Sequence, residues 1–407
     1  MKFIKKKISE LSIELIDGDR GKNYPKKNEF LNKGDCVFLN AKNVTSNDFC
    51  FEEINFITKE KDKLLNNGKL KRKDIVLTTR GTVGNVAYYS EKIPFEFMRI
   101  NSGMIIIRCQ NSINEKYIYW YMRTKQFKNQ IKELQTGSAQ PQLPLSIIKN
   151  MVINMCDMKN QNKIVYILDK IQEKINLNTH INNNLYEILD NIFKEKYLNN
   201  ERYNSWEEVT LDDITSKFAT GLNPRKNFVL GHGSNYYVTI KNMQNNNVIL
   251  NDKCDKIDDE ALLKINRRSD LKVGDLLFSG IGTIGRVYLI KDVPYNWNIS
   301  ESIFTIRPNE KCSSEFLYLL LLNKNMQNYA VNKASGSVQK GIRMADLKQF
   351  KVKLPNNNEM QSFTYIIKPI IDIIYNKTKQ NEKLELIRDT LLPKLMNGKI
   401  DLDKIEI

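Results

Sequence analysis

Only two histidines, His180 and His232, occur in 407 residues, and the six cysteines (Cys36, Cys50, Cys109, Cys156, Cys254, Cys312) are dispersed with no CxxC pair. A structural zinc site needs closely spaced ligands, so none is expected. Thiols scattered in this way suit a reducing compartment. Long apolar runs are missing too: none approaches the ~20 residues that span a bilayer. The opening MKFIKKKISEL has no apolar signal-peptide region. These absences predict a soluble, cytoplasmic protein with no membrane partner. Acidic residues are in deficit, 47 against 63 Lys and Arg, giving a formal charge of +16. The cations run along the whole chain rather than filling a tail, which favours a polyanionic partner, most often nucleic acid.

The stretch TRGTVGNVAYY (Thr79 to Tyr89) returns as GIGTIGRVYLI (Gly280 to Ile290). Each follows a short apolar run opened by an aspartate, DIVLT in one case and DLLFS in the other. Asp74 aligns with Asp275, Gly81 with Gly282 and Gly84 with Gly285, an offset of 201. FLNAKN (Phe38 to Asn43) falls on YVTIKN (Tyr237 to Asn242), and NSGMIIIR (Asn101 to Arg108) on SESIFTIR (Ser300 to Arg307), both at an offset of 199. TGSAQPQLPLSIIKNMVI from Thr136 matches SGSVQKGIRMADLKQFKV from Ser335, again at 199. Near the start of each half, DGDRGKNY and TGLNPRKNF correspond with one residue inserted. The same order with only small indels identifies a tandem duplication of about 200 residues per unit. A chain of this length exceeds one ordinary core. The expected boundaries are a globular domain at 1–155, a central helix at 156–200, a second globular domain at 201–355 and a C-terminal helix at 356–407.

Each globular part reads as mixed α/β. DIVLTT, NVAYY and GMIIIR look like strands separated by Gly and Asn turns. One helix is predicted from Glu115 to Leu134, with SEFLYLLLLNKNMQNYAVNK as its counterpart. Tyr117, Tyr119, Trp120 and Tyr121 read as core rather than a base-stacking platform, because Phe316, Tyr318, Leu319 and Leu320 align with them.

The two long segments carry heptad seams. Ile164, Leu168, Ile171, Ile175, Leu185, Leu189 and Ile192 recur at steps of four and three, interrupted by Asn178 and Asn182. The second seam is Phe363, Ile367, Ile370 and Ile374, then Lys377 and Asn381, then Leu384, Arg388 and Leu391. A polar residue on a seam sacrifices stability to fix register and partner choice, so Asn178, Asn182, Lys377 and Asn381 are the expected register residues. Pro369 is expected to kink the second helix or delay its regular start.

The fold class is therefore α+β: a duplicated α/β globular domain plus a long coiled-coil helix, the helices pairing antiparallel in a pseudo-twofold arrangement. Gln161 to Leu198 spans 38 residues. At ~1.5 Å each that is roughly 57 Å, the rise of about 17 base pairs at ~3.4 Å. Two readers on such a spacer suit a bipartite site, asymmetric because the loops of the halves differ.

The order globular unit, heptad helix, globular unit, heptad helix resembles the specificity subunit of type I restriction–modification enzymes. So do the RGTVGN and GIGTIGR turns, the GSAQPQLP and GSVQKGI segments, and the ending LLPKLMNGKI from Leu391 to Ile400. The resemblance covers essentially the whole chain. It implies that each globular unit is a target-recognition domain for double-stranded DNA and that the helices dock two methyltransferase subunits. A restriction subunit with translocase and nuclease activity joins in the full enzyme. S-adenosylmethionine, ATP and Mg are then used on the partner subunits, in phage defence, and no cofactor on this chain.

The residues themselves suggest no catalysis. A GxxxxGK[ST] loop is absent, as is any DPPY or NPPF tetrapeptide. GTVG and GTIG lack GxGxxG spacing and a following helix, so they read as turns between strands. Asp74 and Asp275 read as turn-capping aspartates. Base and phosphate contacts need Lys, Arg, Asn, Gln or small polar side chains, and loop positions present in both units are the candidates. In the first unit these are Arg20, Lys22, Asn40, Lys42, Asn43, Arg80, Thr82, Ser138, Gln140 and Gln142. In the second they are Asn223, Arg225, Lys226, Thr239, Lys241, Asn242, Thr283, Arg286, Ser337, Gln339, Lys340 and Arg343. Shared members such as Lys42 with Lys241 and Gln140 with Gln339 suit phosphate or fold; unshared Arg80 and Arg343 suit base reading. Alternatives are a specificity subunit of a fused restriction–methylation enzyme, a duplicated-domain DNA-binding regulator, and a coiled-coil adaptor. The regulator is disfavoured because no helix-turn-helix pattern stands out. The adaptor would not need two basic domains.

Overall fold

The computed structural model describes residues 2–137, 141–336 and 339–402. The chain divides into two compact units, one made of 1–177 with 381–407 and the other of 178–380.

The first unit is built on a four-stranded antiparallel sheet in the order Ile13–Asp17, Met104–Cys109, Ile75–Thr78, Val86–Tyr88. A three-stranded sheet lies beside it: Cys36–Leu39 pairs antiparallel with Asn55–Ile57 and parallel with Met98–Ile100. Ile4–Lys7 pairs with Val152–Met155. The second unit repeats this strand for strand. Its sheets run Thr215–Thr220, Ile303–Pro308, Leu276–Ser279, Val287–Leu289, then Asp255–Ile257, Asn235–Val238, Trp297–Ile299, then Glu207–Thr210 with Lys351–Leu354. Even the parallel pair recurs, Tyr236 opposite Trp297 as Val37 lies opposite Met98. The duplication is thus one of topology as well as sequence.

The segment expected as one helix from Glu115 to Leu134 is two, Glu115–Met122 and Lys125–Leu134. Thr124 breaks it: its Oγ1 donates to the Tyr121 carbonyl and accepts from Phe127 N–H, capping the second helix. Asn323 does the same between Ser314–Leu322 and Lys324–Lys333, accepting from Asn325 N–H. Tyr117, Tyr119, Trp120 and Tyr121 are all at most 6% exposed, so the aromatic run is core.

The long helices are Met158–Phe193, continued by a π turn at Lys194–Leu198, and Asn357–Met396. Pro369 does not delay the second helix, which runs unbroken through it. The carbonyl it deprives of a partner belongs to Tyr365, 83% exposed, where water can take the bond. In the first unit Ile164, Val165 and Leu168 share a core with Leu392, Leu395 and Met396. In the second, Leu189, Phe193 and Tyr197 share one with Phe363, Ile367 and Ile371. Early residues of one helix thus meet late residues of the other in each unit, which is antiparallel pairing.

The polar seam positions behave as packing residues. Asn178 is fully buried and donates to Gln380 Oε1 at 2.8 Å. Asn182, 8% exposed, donates to Thr378 Oγ1 at 3.1 Å and to the Ile374 carbonyl. In the first unit Asn381 donates to the Ile175 carbonyl and Arg388 to Gln172 Oε1 at 2.7 Å. Lys377 is only half-buried.

Candidate nucleic-acid interface

Register places a set of loops at one end of each central sheet. Asp17 pairs with Ile105, Thr78 with Met104 and Val86 with Leu77. The loops after Asp17, before Met104 and between Thr78 and Val86 therefore leave together. The 3₁₀ turn Ala41–Asn43 joins them, because Leu39 ends level with Ile100.

Hydrogen bonds knit these loops into one rim. Thr82 Oγ1 donates to the Ala41 carbonyl at 3.1 Å and Asn85 Nδ2 to the Val44 carbonyl at 2.9 Å. Arg80 bridges Gln142, and Leu143 N–H donates to the Thr79 carbonyl. Arg20 donates to the Ser102 carbonyl, next to Gly103, whose carbonyl accepts from Thr79 and Arg80. In the second unit Gly282 N–H donates to the Lys340 carbonyl at 2.8 Å, Ile281 bridges Gly341, and Asn223 Nδ2 donates to Glu301 at 2.7 Å.

The hairpin tip explains the glycine repeat. Gly81, Gly84, Gly282 and Gly285 all have φ between 73° and 93°, a left-handed conformation that costs a β-carbon-bearing residue. A β-carbon on Gly285 would meet Gln327 Oε1 at 1.9 Å. Buried Ser279 donates across the turn to the Thr283 carbonyl and accepts from Arg286 N–H, and Thr78 does the same with Thr82 and Asn85. The motif is a braced hairpin.

The structure turns several expected contact residues inward. Asn43 is 2% exposed, accepts from Asn40 N–H and donates to the Cys50 and Glu53 carbonyls. Asn242 accepts from the N–H and hydroxyl of Thr239 and donates to Cys254 Sγ. Arg286 donates to the carbonyls of Ile240 and Met243 at 2.7 and 2.6 Å, the work Asn85 does in the first unit. Asn40 and Asn223 accept backbone N–H groups of their own turns. These side chains are held by the scaffold because an unbonded polar group there would cost about 1–3 kcal/mol.

The remaining cations face water. Lys22, Lys42 and Arg80 in the first unit are exposed, as are Arg225, Lys226, Lys241, Lys340 and Arg343 in the second. Among the described residues these eight make no ion pair, whereas Arg20 pairs with Asp17 at 2.9 Å. Thr82, Thr283 and Gln339 are exposed and Gln142 is half-buried. Ser138, Gln140 and Ser337 lie outside the described residues.

At the opposite end of each sheet sits an ion pair that sequence reading missed. Arg108 holds Asp74 through Nε at 2.9 Å and Nη2 at 2.8 Å, and Arg307 holds Asp275 at 2.6 and 2.9 Å. Both aspartates are at most 1% exposed and accept a turn N–H as well, from Lys71 and Lys272. Bonding to Asp74 and Asp275 raises the Arg108 and Arg307 guanidinium pKa values above normal. The repeated arginines ending GMIIIR and SIFTIR were the available signal. Among the described residues no cluster of three or more His, Cys, Asp or Glu could hold a metal ion, and no helix is long and apolar enough to cross a membrane.

A family model described as the type I restriction modification DNA specificity domain matches residues 5–187 and again 203–386. A type I restriction enzyme MjaIX specificity subunit from Methanocaldococcus jannaschii is 24% identical, covering 81% of this chain and 78% of its own. The HindI specificity subunit from Haemophilus influenzae is 21% identical over 94% of this chain and 98% of its own. In fold, the chain is similar to the crystal structure of a type I restriction–modification S subunit from M. genitalium, with a TM-score of 0.60 at 15% identity, covering 97% and 96% of the two chains. With both halves matched by the same domain, the chain belongs to the family of type I restriction–modification specificity subunits.

Proposed function

We propose that this chain is the non-catalytic DNA-recognition subunit of a type I restriction–modification enzyme. Each unit reads one half of a bipartite, asymmetric site through its rim, and the two long helices set the gap and dock methyltransferase subunits. The observation that carries this reading is the rim itself. The same scaffold appears twice, and each copy presents cations with no acidic partner among the described residues. Cations left uncompensated on loops are what phosphates require. The loops differ where the scaffold does not: Arg80 aligns with Ile281, and Pro141 and Pro144 with Lys340 and Arg343. Two unlike half-sites follow. S-adenosylmethionine, ATP and Mg act on partner subunits, and the complex works in the cytoplasm.

The test is DNA binding by the full chain with its methyltransferase subunits. Exchanging residues 1–155 for the equivalent part of another family member is expected to change one half of the recognised sequence. A change in both halves would defeat the modular reading.

A further inference from the structure

The edge strand Ile4–Lys7 is exposed at every residue and carries Lys5, Lys6 and Lys7. Lys149 belongs to the same surface, since it lies two residues before Met151, whose carbonyl accepts from Ile8 N–H at 2.9 Å. Among the described residues none of these four lysines makes an ion pair. Charge on an edge strand, lysine above all, also guards against unwanted strand pairing, but that purpose does not extend to Lys149, which lies in the helix Leu145–Asn150.

The second unit provides an internal control on the same scaffold. Its matching strand, Glu207–Thr210, places Glu208 where the first unit has Lys5. Glu208 is neutralised by Lys351 at 2.8 Å and Lys353 at 4.0 Å. The residue matching Lys149 is Lys348, paired with Asp212 at 2.9 Å. The second unit pairs its lysine side chains on this surface; in the first the Glu10 carboxylate accepts from Lys7 N–H at 3.0 Å, and among the described residues the four lysine side chains are left without an ion pair.

The surface is also separate from the recognition rim. The strand Ile13–Asp17 begins near it and ends at the rim. Four steps of ~3.3 Å put roughly 13 Å between the two ends.

We infer that Lys5, Lys6, Lys7 and Lys149 form a second, sequence-independent phosphate-binding surface, confined to the first unit, that grips duplex DNA flanking the recognised half-site. The inference rests on the proposed DNA-recognition role. Flat strands of lysines on compact ammonium groups suit phosphates and carry no base-reading geometry. Binding is thereby tighter on one flank of the site than on the other.

The test uses the complete complex and duplexes bearing its methylated motif, with or without flanking pairs on the side of the first unit. Lys5→Gln/Lys6→Gln/Lys7→Gln is expected to weaken binding only to the flanked duplex and to make its salt slope shallower by ~2–3 units. Lys5→Arg/Lys6→Arg/Lys7→Arg keeps the charge and is expected to bind like the parent. The methylated motif stays the same in both variants. Equal binding of the parent and the Gln variant to the flanked duplex would overturn the inference. So would an unchanged salt slope with loss of an acidic protein partner from the complex. Failure of the parent to bind either duplex would instead sink the recognition role itself.

Discussion

The two rims are unequal in charge, and that difference is measurable. The first presents Lys22, Lys42 and Arg80; the second presents Arg225, Lys226, Lys241, Lys340 and Arg343. Each phosphate neutralised contributes ~0.9 to the slope of log affinity against log salt. If every rim cation meets a phosphate, the first rim supplies ~2.7 and the second ~4.5 of that slope. Between 50 and 200 mM salt the second rim alone then accounts for about 2.7 decades of affinity and the first for about 1.6. Neutralising the five by Gln substitution should flatten the slope nearly twice as much as neutralising the three. The assay is fluorescence anisotropy of the complex on a labelled duplex across that salt range, with thermal melting to show that the exposed substitutions leave the fold intact. Equal slopes before and after the five-residue change would refute the assignment of the rim. A larger effect from the three-residue change would refute the inequality between the units.

Further outcomes concern the scaffold. Asp74→Ala removes the buried carboxylate from Arg108, which keeps Glu14 at 3.7 Å, and Asp275→Ala leaves Arg307 with Asp270 at 3.4 Å; each should cost about 1–3 kcal/mol in urea unfolding, with the methylated motif unaltered. Asp62 is buried with Arg99 and bonded to Lys69. Burial would raise its carboxyl pKa, but the Lys69 and Arg99 bonds outweigh this and hold it below 3.8. Its contribution is therefore complete above pH 3.8 and lost as pH falls through the lower folded value, so acid unfolding should show a step there that Asp62→Asn removes. Asn182→Leu buries more apolar surface where Asn182 Oδ1 has no partner among the described residues. It should raise the melting temperature while loosening helix register, visible as a mixture of gap lengths in the methylated sites.

The duplication, the strand-rich hairpins and the seam residues were legible because each rests on a local pattern. Spacing alone placed Ile164, Leu168, Leu189 and Ile367 on buried faces. What the pattern hid was competition within it. Thr124 and Asn323 interrupt an apolar periodicity that continues across them, and only their capping bonds reveal two helices. Heptads also do not say which globular part embeds each end of a helix, since that depends on contacts distant in sequence, such as Asn154 with Asn397. Among site residues, exposed Lys and Arg were recognisable by type. Asn43, Asn242 and Arg286 were not separable from them, because a side chain that braces a turn uses the same donors and acceptors as one that meets DNA. The alignment of Asn85 with Arg286 held a clue: two unlike residues at one position do one structural job, each reaching a carbonyl of the neighbouring turn.

In the proposed function, two rims on one duplicated scaffold direct methylation to a two-part sequence. Long-read methylation sequencing of host DNA, with and without this gene and in the presence of the methyltransferase partner, tests it most directly. One split motif is expected to disappear with the gene, two unlike blocks around a fixed run of unspecified bases. Persistence of every methylated motif without the gene, or loss of a single continuous or palindromic motif, would contradict it.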